Sequence, residues 1–174
     1  MPHEPVIDAA EFARAAASLR GSFALTRFAR LRDQLAAHDG TLEYALHGVR
    51  DAEGRPALRV QLRGALQLVC QRCLGPLEHA VSVEATLVLA ASQAEIDAEP
   101  LTADAPERVV ASKSLAVREL VEDELLLAVP YAPRHARCSL QGASGEGARR
   151  SPFAGLGALL GDSKSGRDER GGKH

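Results

Sequence analysis

The chain has 174 residues, with 21 basic and 23 acidic side chains and a formal net charge of −2. That length suffices for one domain with its own core, or for one domain plus a tail, so stability requires no disulfide. The charge balance excludes a globally basic nucleic-acid binder, and two Tyr, four Phe and no Trp nearly exclude base stacking as the main binding mode.

The N-terminal region predicts two helices. Asp8 and Glu11 have the spacing of a capping box, which favours a first helix over residues 8–20. Further on, Phe28, Leu31 and Leu35 recur at a spacing of three and four residues. That spacing places them on one helix face, so a second helix is predicted over residues 27–37.

The clearest pattern is an alternation of apolar and polar residues from Leu58 to Cys70. A period of two is typical of a strand that has one face on a core and the other in water. Gly64 interrupts the apolar row and suggests a bulge or a sharp bend. A partner strand is predicted over residues 41–49, and a third strand follows the turn at Gly75.

The remainder of the chain predicts a loop, a short strand and a helix. Residues 93–107 carry five acids and no base, which is typical of an exposed loop, and a short strand is predicted over 108–111. Residues 114–128 have a wide apolar face, with Ser114 as the expected cap and Pro130 beyond the end.

These elements predict an α+β fold, built as an antiparallel meander or a partly closed small β-barrel with N-terminal helices and one C-terminal packing helix. We expect a single domain over residues 1–138. Residues 139–174 hold nine of the 15 glycines and are expected to form a largely disordered tail.

The compartment predicted from the sequence is the cytoplasm. No apolar stretch approaches the roughly 20 residues of a membrane span. Residues 1–5 lack the positive region and apolar run that begin a signal peptide. Three cysteines are an odd number for a disulfide framework, which favours a reducing environment.

Four residues in two pairs, Cys70 with Cys73 and His135 with Cys138, have the spacing of metal ligands. Three sulfurs and one imidazole fill a tetrahedral site and predict one structural zinc ion. His79 is the nearby substitute if His135 is out of reach. The alternative is that the four residues occupy ordinary packing and turn positions.

The last helix carries a run of acids: Glu119, Glu122, Asp123 and Glu124. A metal-dependent nuclease needs such carboxylates, but no further acids stand at matched spacing and no histidine is near. We therefore expect a solvated helix face. The alternative is that Glu122 or Asp123 pairs with an arginine elsewhere in the domain.

Charge is divided unevenly along the chain. Residues 14–72 hold ten arginines and five acids, whereas residues 84–124 hold ten acids and three bases. On the long strand, Arg59 and Arg63 point away from the core, and Arg72 lies just beyond. Because guanidinium groups bind phosphate oxygens in a bidentate manner, these three arginines are candidate RNA-binding residues.

Three blocks of sequence resemble the YceD family, the bacterial large ribosomal RNA subunit accumulation proteins. They are Val-Cys-Gln-Arg-Cys-Leu at 69–74, Leu-Val-Glu-Asp-Glu-Leu-Leu-Leu-Ala-Val-Pro at 120–130, and Ser-Pro-Phe-Ala at 151–154. Pro133, His135 and Cys138 follow the second block in the same order as in the family. The resemblance implies a role in synthesis, processing or stability of the 23S ribosomal RNA, and it implies no catalytic activity.

The predicted function is therefore that of a non-enzymatic factor that binds 23S rRNA or a precursor of the large subunit. The alternative is an adaptor that binds a ribosomal protein, since those proteins are mostly basic and the acidic residues 84–124 would attract them. An RNA-processing hydrolase has no visible site in the sequence. No membrane partner is expected.

Overall fold

The computed structural model of the protein describes residues 4–99 and 105–138. It contains eight strands in these parts of the chain: β1 (Val6–Ile7), β2 (Ser18–Ala24), β3 (Leu35–Ala37), β4 (Thr41–Arg50), β5 (Pro56–Val69), β6 (Pro76–Ala90), β7 (Arg108–Val110) and β8 (Leu115–Ala116). The helices are α1 (Ala9–Arg14), α2 (Gln93–Ala98) and α3 (Val117–Ala128). The predicted α+β class is confirmed, whereas the predicted tail at 139–174 lies outside the described residues.

The main sheet has the strand order β2-β4-β5-β6-β7, and β3 pairs with β5 beside this path. Strands β4, β5 and β6 form the predicted antiparallel meander, with Tyr44 opposite Leu62 and Leu62 opposite Val83. Strand β7 joins β6 in parallel. Because β2 and β7 stand at opposite ends of this order, the sheet in the described part of the chain is open and not a barrel.

One face of the sheet carries the core, and α3 packs on that face. Leu42, Leu46, Leu58, Leu62 and Leu66 are all buried with 1% exposure or less. Each such leucine contributes roughly 1.5–3 kcal/mol through removal of its side chain from water. From α3, the buried residues include Val117, Leu120, Val121 and Leu125.

Gly64 does not mark a bulge. Pairing between β5 and β6 runs through it without a shift, with Arg63 opposite Ser82 and Gly64 opposite Val81. A Cβ at Gly64 would lie 3.1 Å from Leu42 Cδ1 and 3.2 Å from the carbonyl oxygen of Thr41. The glycine is explained by this close approach of β4, and the predicted bulge is wrong.

The first predicted helix is much shorter than expected. Asp8 caps α1 as predicted, since its Oδ1 accepts a hydrogen bond from the Glu11 N–H at 2.9 Å. The helix ends at Arg14, and Ala16 adopts a positive φ of 48°. Residues 18–20 then enter β2, because pairing with β4 satisfies their backbone groups better than further helix does.

The second predicted helix, over residues 27–37, is wrong. This segment forms two short 3-10 turns, Leu25–Arg27 and Arg32–Gln34, followed by β3. Phe28, Leu31 and Leu35 are nevertheless all buried. Their spacing therefore identified core residues correctly, although the backbone that buries them is irregular.

Two further boundaries differ from the predictions. Part of the predicted loop is α2, which begins where Ser92 Oγ accepts from the Glu95 N–H at 3.3 Å. Ser114 does not cap α3; the helix begins at Val117, whose N–H donates to the carbonyl of Pro5 at 3.1 Å. None of the helices described for this chain is long and apolar enough to cross a membrane.

Candidate metal centre and the surfaces around it

The four predicted ligands lie together at one end of the sheet. One ligand atom from each of Cys70, Cys73, His135 and Cys138 falls within 4.8 Å of all the others. Cys70 Sγ is 3.8 Å from Cys138 Sγ, and Cys73 Sγ is 3.4 Å from His135 Nδ1. The cluster, called here the Cys3His cluster, could hold a metal ion.

A tight turn at the end of β5 positions the first pair of ligands. Cys70 is buried, and its N–H and carbonyl bond to the Gly75 carbonyl and the Leu74 N–H, each at 2.9 Å. Leu74 has a positive φ of 60°, which closes the turn. Because this turn folds back on Cys70, the two cysteine side chains face the same point.

The second pair reaches the cluster through the segment that follows α3. The Gln71 N–H donates to the carbonyl of Pro133 at 2.8 Å, which joins this segment to the turn. His135 Nε2 lies 2.9 Å from the carbonyl of Pro76. In the neutral imidazole, donation from Nε2 to that carbonyl leaves Nδ1 as the unprotonated nitrogen, and Nδ1 faces Cys73. Histidine ligands of metals are commonly oriented by such a second hydrogen bond.

Local interactions favour ionised sulfur at two of the three cysteines. Burial opposes ionisation of Cys70, but the backbone N–H groups of Cys73, Arg72 and His135 outweigh it and lower the pKa of Cys70 to about 5. The Arg72 side chain lowers the pKa of Cys138, to which its Nε donates at 3.0 Å. The pKa of Cys73 is raised, because burial and the adjacent sulfurs outweigh the favourable Gly75 N–H.

Two of the distances between ligand atoms fit a tetrahedral zinc site. With Zn–S of about 2.3 Å and Zn–N of about 2.0–2.1 Å, tetrahedral geometry places two sulfurs about 3.8 Å apart and a sulfur and a nitrogen about 3.6 Å apart. In the structure these separations are 3.8 Å for Cys70 and Cys138 and 3.4 Å for Cys73 and His135, and the other pairs of ligand atoms lie within 4.8 Å. None of the three cysteines forms a disulfide, which would require about 2.05 Å between sulfurs. His79, the predicted substitute, instead pairs opposite Leu66 within the sheet.

The acid run on α3 is only partly the solvated face that the sequence predicts. Glu122 and Glu124 are buried, with exposures of 2% and 6%, so the prediction is wrong for both. Glu122 accepts a hydrogen bond from the Arg30 N–H at 2.8 Å. The Arg30 side chain contacts Glu122 at 3.3 Å and Asp123 at 2.6 Å, which confirms the alternative of a pairing with a distant arginine.

Glu124 is buried beside other acids. Burial first, and then the negative charges of Glu107 and Asp123, raise its pKa to about 7. Among the described residues, no arginine or lysine forms an ion pair with Glu124 as Arg30 does with Glu122. Two acids on one helix therefore have opposite electrostatic surroundings, a difference that the sequence spacing did not signal.

The three candidate RNA-binding arginines do not form one surface. Arg59 and Arg63 are exposed on the outer face of the sheet, opposite the core. Arg72 lies instead at the Cys3His cluster, where it donates to Cys138 Sγ and to the His135 carbonyl. Sequence reasoning missed this role, because it depends on contact with residues more than 60 positions away.

The outer face is mixed in charge. Arg63 stands opposite Glu43 in the register, and Gln61 stands opposite Glu84. Gln67 Nε2 lies 3.4 Å from Glu78 Oε2. The outward positions of β2, β4, β5 and β6 thus hold three arginines, Arg20, Arg59 and Arg63, and three glutamates, Glu43, Glu78 and Glu84.

A comparison with protein families matches residues 58–160 to the family described as large ribosomal RNA subunit accumulation protein YceD. The match covers more than half of the 174 residues and includes most of β5, all of α3 and all four residues of the Cys3His cluster. Neither a curated protein nor a solved structure matches the chain.

Proposed function

The chain belongs to the YceD family of large ribosomal RNA subunit accumulation proteins, and we propose that it acts without catalysis by binding 23S rRNA or a precursor particle directly. The family's role in large-subunit rRNA accumulation is the observation that carries this proposal. We infer that the protein works in the cytoplasm, beside the assembling large subunit. The outer face supports it, because Arg59 and Arg63 are exposed there and make no ion pair in the described part of the chain.

The surroundings of the acid run support a non-enzymatic role. A metal-dependent nuclease would need carboxylates that are free to gather divalent ions. Glu122 is held by Arg30 and by Arg118, whose Nη1 lies 3.5 Å from it. Glu124 is buried, and the charges that act on it are those of Glu107 and Asp123. The carboxylates of α3 thus serve packing and ion pairing.

We also propose that the Cys3His cluster holds one structural Zn²⁺. Cys70, Cys73, His135 and Cys138 would supply four ligands, which close the coordination sphere and leave no position for a substrate. Three thiolates and Zn²⁺ carry one net negative charge, which the guanidinium of Arg72 offsets at 3.0 Å from Cys138 Sγ. Zinc bound there would fasten the segment after α3 to the end of β5.

Direct RNA binding predicts a salt-dependent affinity for fragments of 23S rRNA that falls when the outer face is reversed in charge. We expect Arg59→Glu/Arg63→Glu to weaken binding at least tenfold. We also expect it to reduce the slope of log K against log salt, because a protein that contacts fewer phosphates releases fewer counterions when it binds. Arg72 is left unchanged, since its replacement would also disturb the Cys3His cluster. Fluorescence anisotropy at several salt concentrations measures both quantities.

The matched control is Arg14→Glu/Lys113→Glu, which makes the same change in net charge at exposed positions away from the outer face. We expect it to bind nearly as the wild type does. If the wild-type protein binds no rRNA fragment, while a ribosomal protein is retained after complete RNA digestion, the adaptor alternative replaces direct binding. Several of the acids at 84–124 are already paired, as Glu95 and Glu99 are with Arg108, which weakens that alternative.

A further inference from the structure

Two stretches of chain without acidic residues meet at the Cys3His cluster. Residues 63–77 and residues 125–138 contain no Asp or Glu, and together they carry four arginines. Two of these, Arg134 and Arg137, are exposed and make no ion pair in the described part of the chain. The two stretches that form the surface beside the cluster therefore contribute charged side chains of positive sign alone, in contrast to the strands of the outer face.

An aromatic ring stands at the edge of this surface. Tyr131 is fully exposed, at 104% of its reference area. Phe23, Phe28 and Tyr44 are all buried in the core. An exposed ring that contributes nothing to the core is available for stacking against a partner.

A groove of about 430 Å³ opens beside Tyr131. Leu126, Val129, Pro130 and Pro133 give it apolar walls, and the side chains of Gln34 and Gln71 contribute amide groups. Gln71 lies between the two cysteines of the turn, so the groove adjoins the Cys3His cluster. Amide groups beside an apolar wall are suited to the polar edge and the face of a nucleobase.

We propose that this surface, made by Tyr131, Arg134, Arg137 and the adjoining groove, binds an unpaired segment of RNA. The inference rests on the proposed function and assigns base recognition to the cluster end of the molecule. One base stacks on Tyr131, with its edge toward Gln34 and Gln71. Arg134 and Arg137 contact the flanking phosphates. The outer face, with Arg59 and Arg63, contributes phosphate contacts that do not depend on an unpaired base.

Recognition of this kind requires an unstacked base, because the bases of a duplex are not free to lie on a protein ring. Two contacts hold the segment from Tyr131 to Cys138 in place beside the Cys3His cluster. One is the hydrogen bond from the Gln71 N–H to the Pro133 carbonyl, and the other is made by His135 of the cluster. A segment that is already ordered loses less conformational entropy when it binds.

The test compares a single-stranded RNA of about 12 nucleotides with a duplex of the same sequence, a length within the site sizes of single-strand binders. For the single strand, we expect Tyr131→Ala to weaken binding about 5- to 150-fold, the loss that follows removal of one stacked base. Binding of the duplex should change little. Tyr131→Phe keeps the ring and is expected to bind as the wild type does.

Arg134→Glu/Arg137→Glu tests the phosphate contacts. We expect it to reduce the salt slope for the single strand by about 1.4, because each phosphate contributes about 0.7. Arg14→Glu/Lys113→Glu again controls for net charge. Arg59→Glu/Arg63→Glu should weaken binding of the single strand and binding of the duplex equally, so the preference for unpaired RNA is unchanged. Metal content and melting temperature establish that each variant is folded.

The outcomes separate this inference from the proposed function. If the wild type binds RNA but Tyr131→Ala and Arg134→Glu/Arg137→Glu bind it equally well, the inference is overturned and the proposed function stands. If the wild type binds neither the oligonucleotides nor 23S rRNA fragments, the proposed function fails and the inference fails with it. If the variants lose binding of a ribosomal protein instead, the surface serves a protein partner and the inference is overturned.

Discussion

Replacement of Cys73 by serine is expected to release zinc and to lower the melting temperature by about 10 °C. Cys73 and His135 are 62 positions apart, so a metal held between them closes a long loop in the unfolded chain. By the entropy of loop closure, a cross-link of that span contributes up to about 4 kcal/mol to the free energy of unfolding. For a domain of this size, that loss shifts the melting temperature by roughly 10 °C.

Elemental analysis of protein purified without a histidine tag should find about one zinc per chain, as a closed four-ligand site requires. Protons compete with zinc for the thiolates and the imidazole, so retention during dialysis should fall as the pH drops below neutrality. His79→Gln is the matched control, because His79 lies outside the cluster, and we expect it to keep its zinc. If the native protein contains no metal and the Cys73→Ser variant melts as the wild type does, the four residues occupy ordinary packing and turn positions.

The strands were predictable because their signal is local. Side chains alternate along a strand, so the apolar row from Leu58 to Leu68 reports directly which face is buried. The same reasoning located β4 and β6 to within a residue or two. The segment at 27–37 was not predictable in this way, since Phe28, Leu31 and Leu35 reach the core from turns.

The end of α1 also depended on contacts that are distant in sequence. The helix lies so close to β4 that a Cβ on Gly48 would be 2.3 Å from the carbonyl oxygen of Phe12. Ala17 accepts a hydrogen bond from the Gly48 N–H at 2.8 Å. Alanine favours continued helix at these positions, but the pairing of β2 with β4 determines the backbone.

Ligand identity in the Cys3His cluster was predictable from spacing, whereas its supporting groups were not. Pairs of ligands two residues apart are a short-range pattern that a turn brings together. Pro76 and Arg72 support the site through contacts with His135 and Cys138, about 60 positions away. The sequence therefore indicated which atoms could bind a metal, but it did not indicate what orients them or offsets their charge.

The acid run was expected to form a solvated helix face, which is wrong for Glu122 and Glu124. Glu122 and Glu124 are separated by about 200° around α3, so the burial of both means that the helix is covered on two sides. One cover is the sheet, and the other is the segment that carries Arg30, 92 positions from Glu122. The periodicity of α3 alone cannot show that a segment distant in sequence packs against the helix.

Glu124→Gln is expected to stabilise the protein above pH 7 by up to about 3 kcal/mol. Burial, and then Glu107 and Asp123, raise the pKa of Glu124 from 4.5 to about 7. Between pH 4.5 and about 7, Glu124 therefore carries a proton in the folded state, whereas in the unfolded state it has released that proton. Stability from the protonated group is fully present below about pH 4.5 and is lost as the pH rises through about 7. Glutamine resembles the protonated form and removes this loss.

The measurement is urea unfolding of wild type and Glu124→Gln at pH 8 and near pH 4.5, and the two should differ in free energy of unfolding at pH 8 and nearly coincide at pH 4.5. Glu122→Gln is the matched comparison on the same helix. It should destabilise the protein at pH 8 by about 2–3 kcal/mol, because it removes the buried negative charge that Arg30 and Arg118 share and replaces one acceptor oxygen by an NH2 donor. Equal stability of Glu124→Gln and wild type at both pH values would show that Glu124 is ionised at no cost. If Glu124→Gln raises the free energy of unfolding and Glu122→Gln lowers it, the partner of each carboxylate, and not its burial alone, determines its contribution to stability.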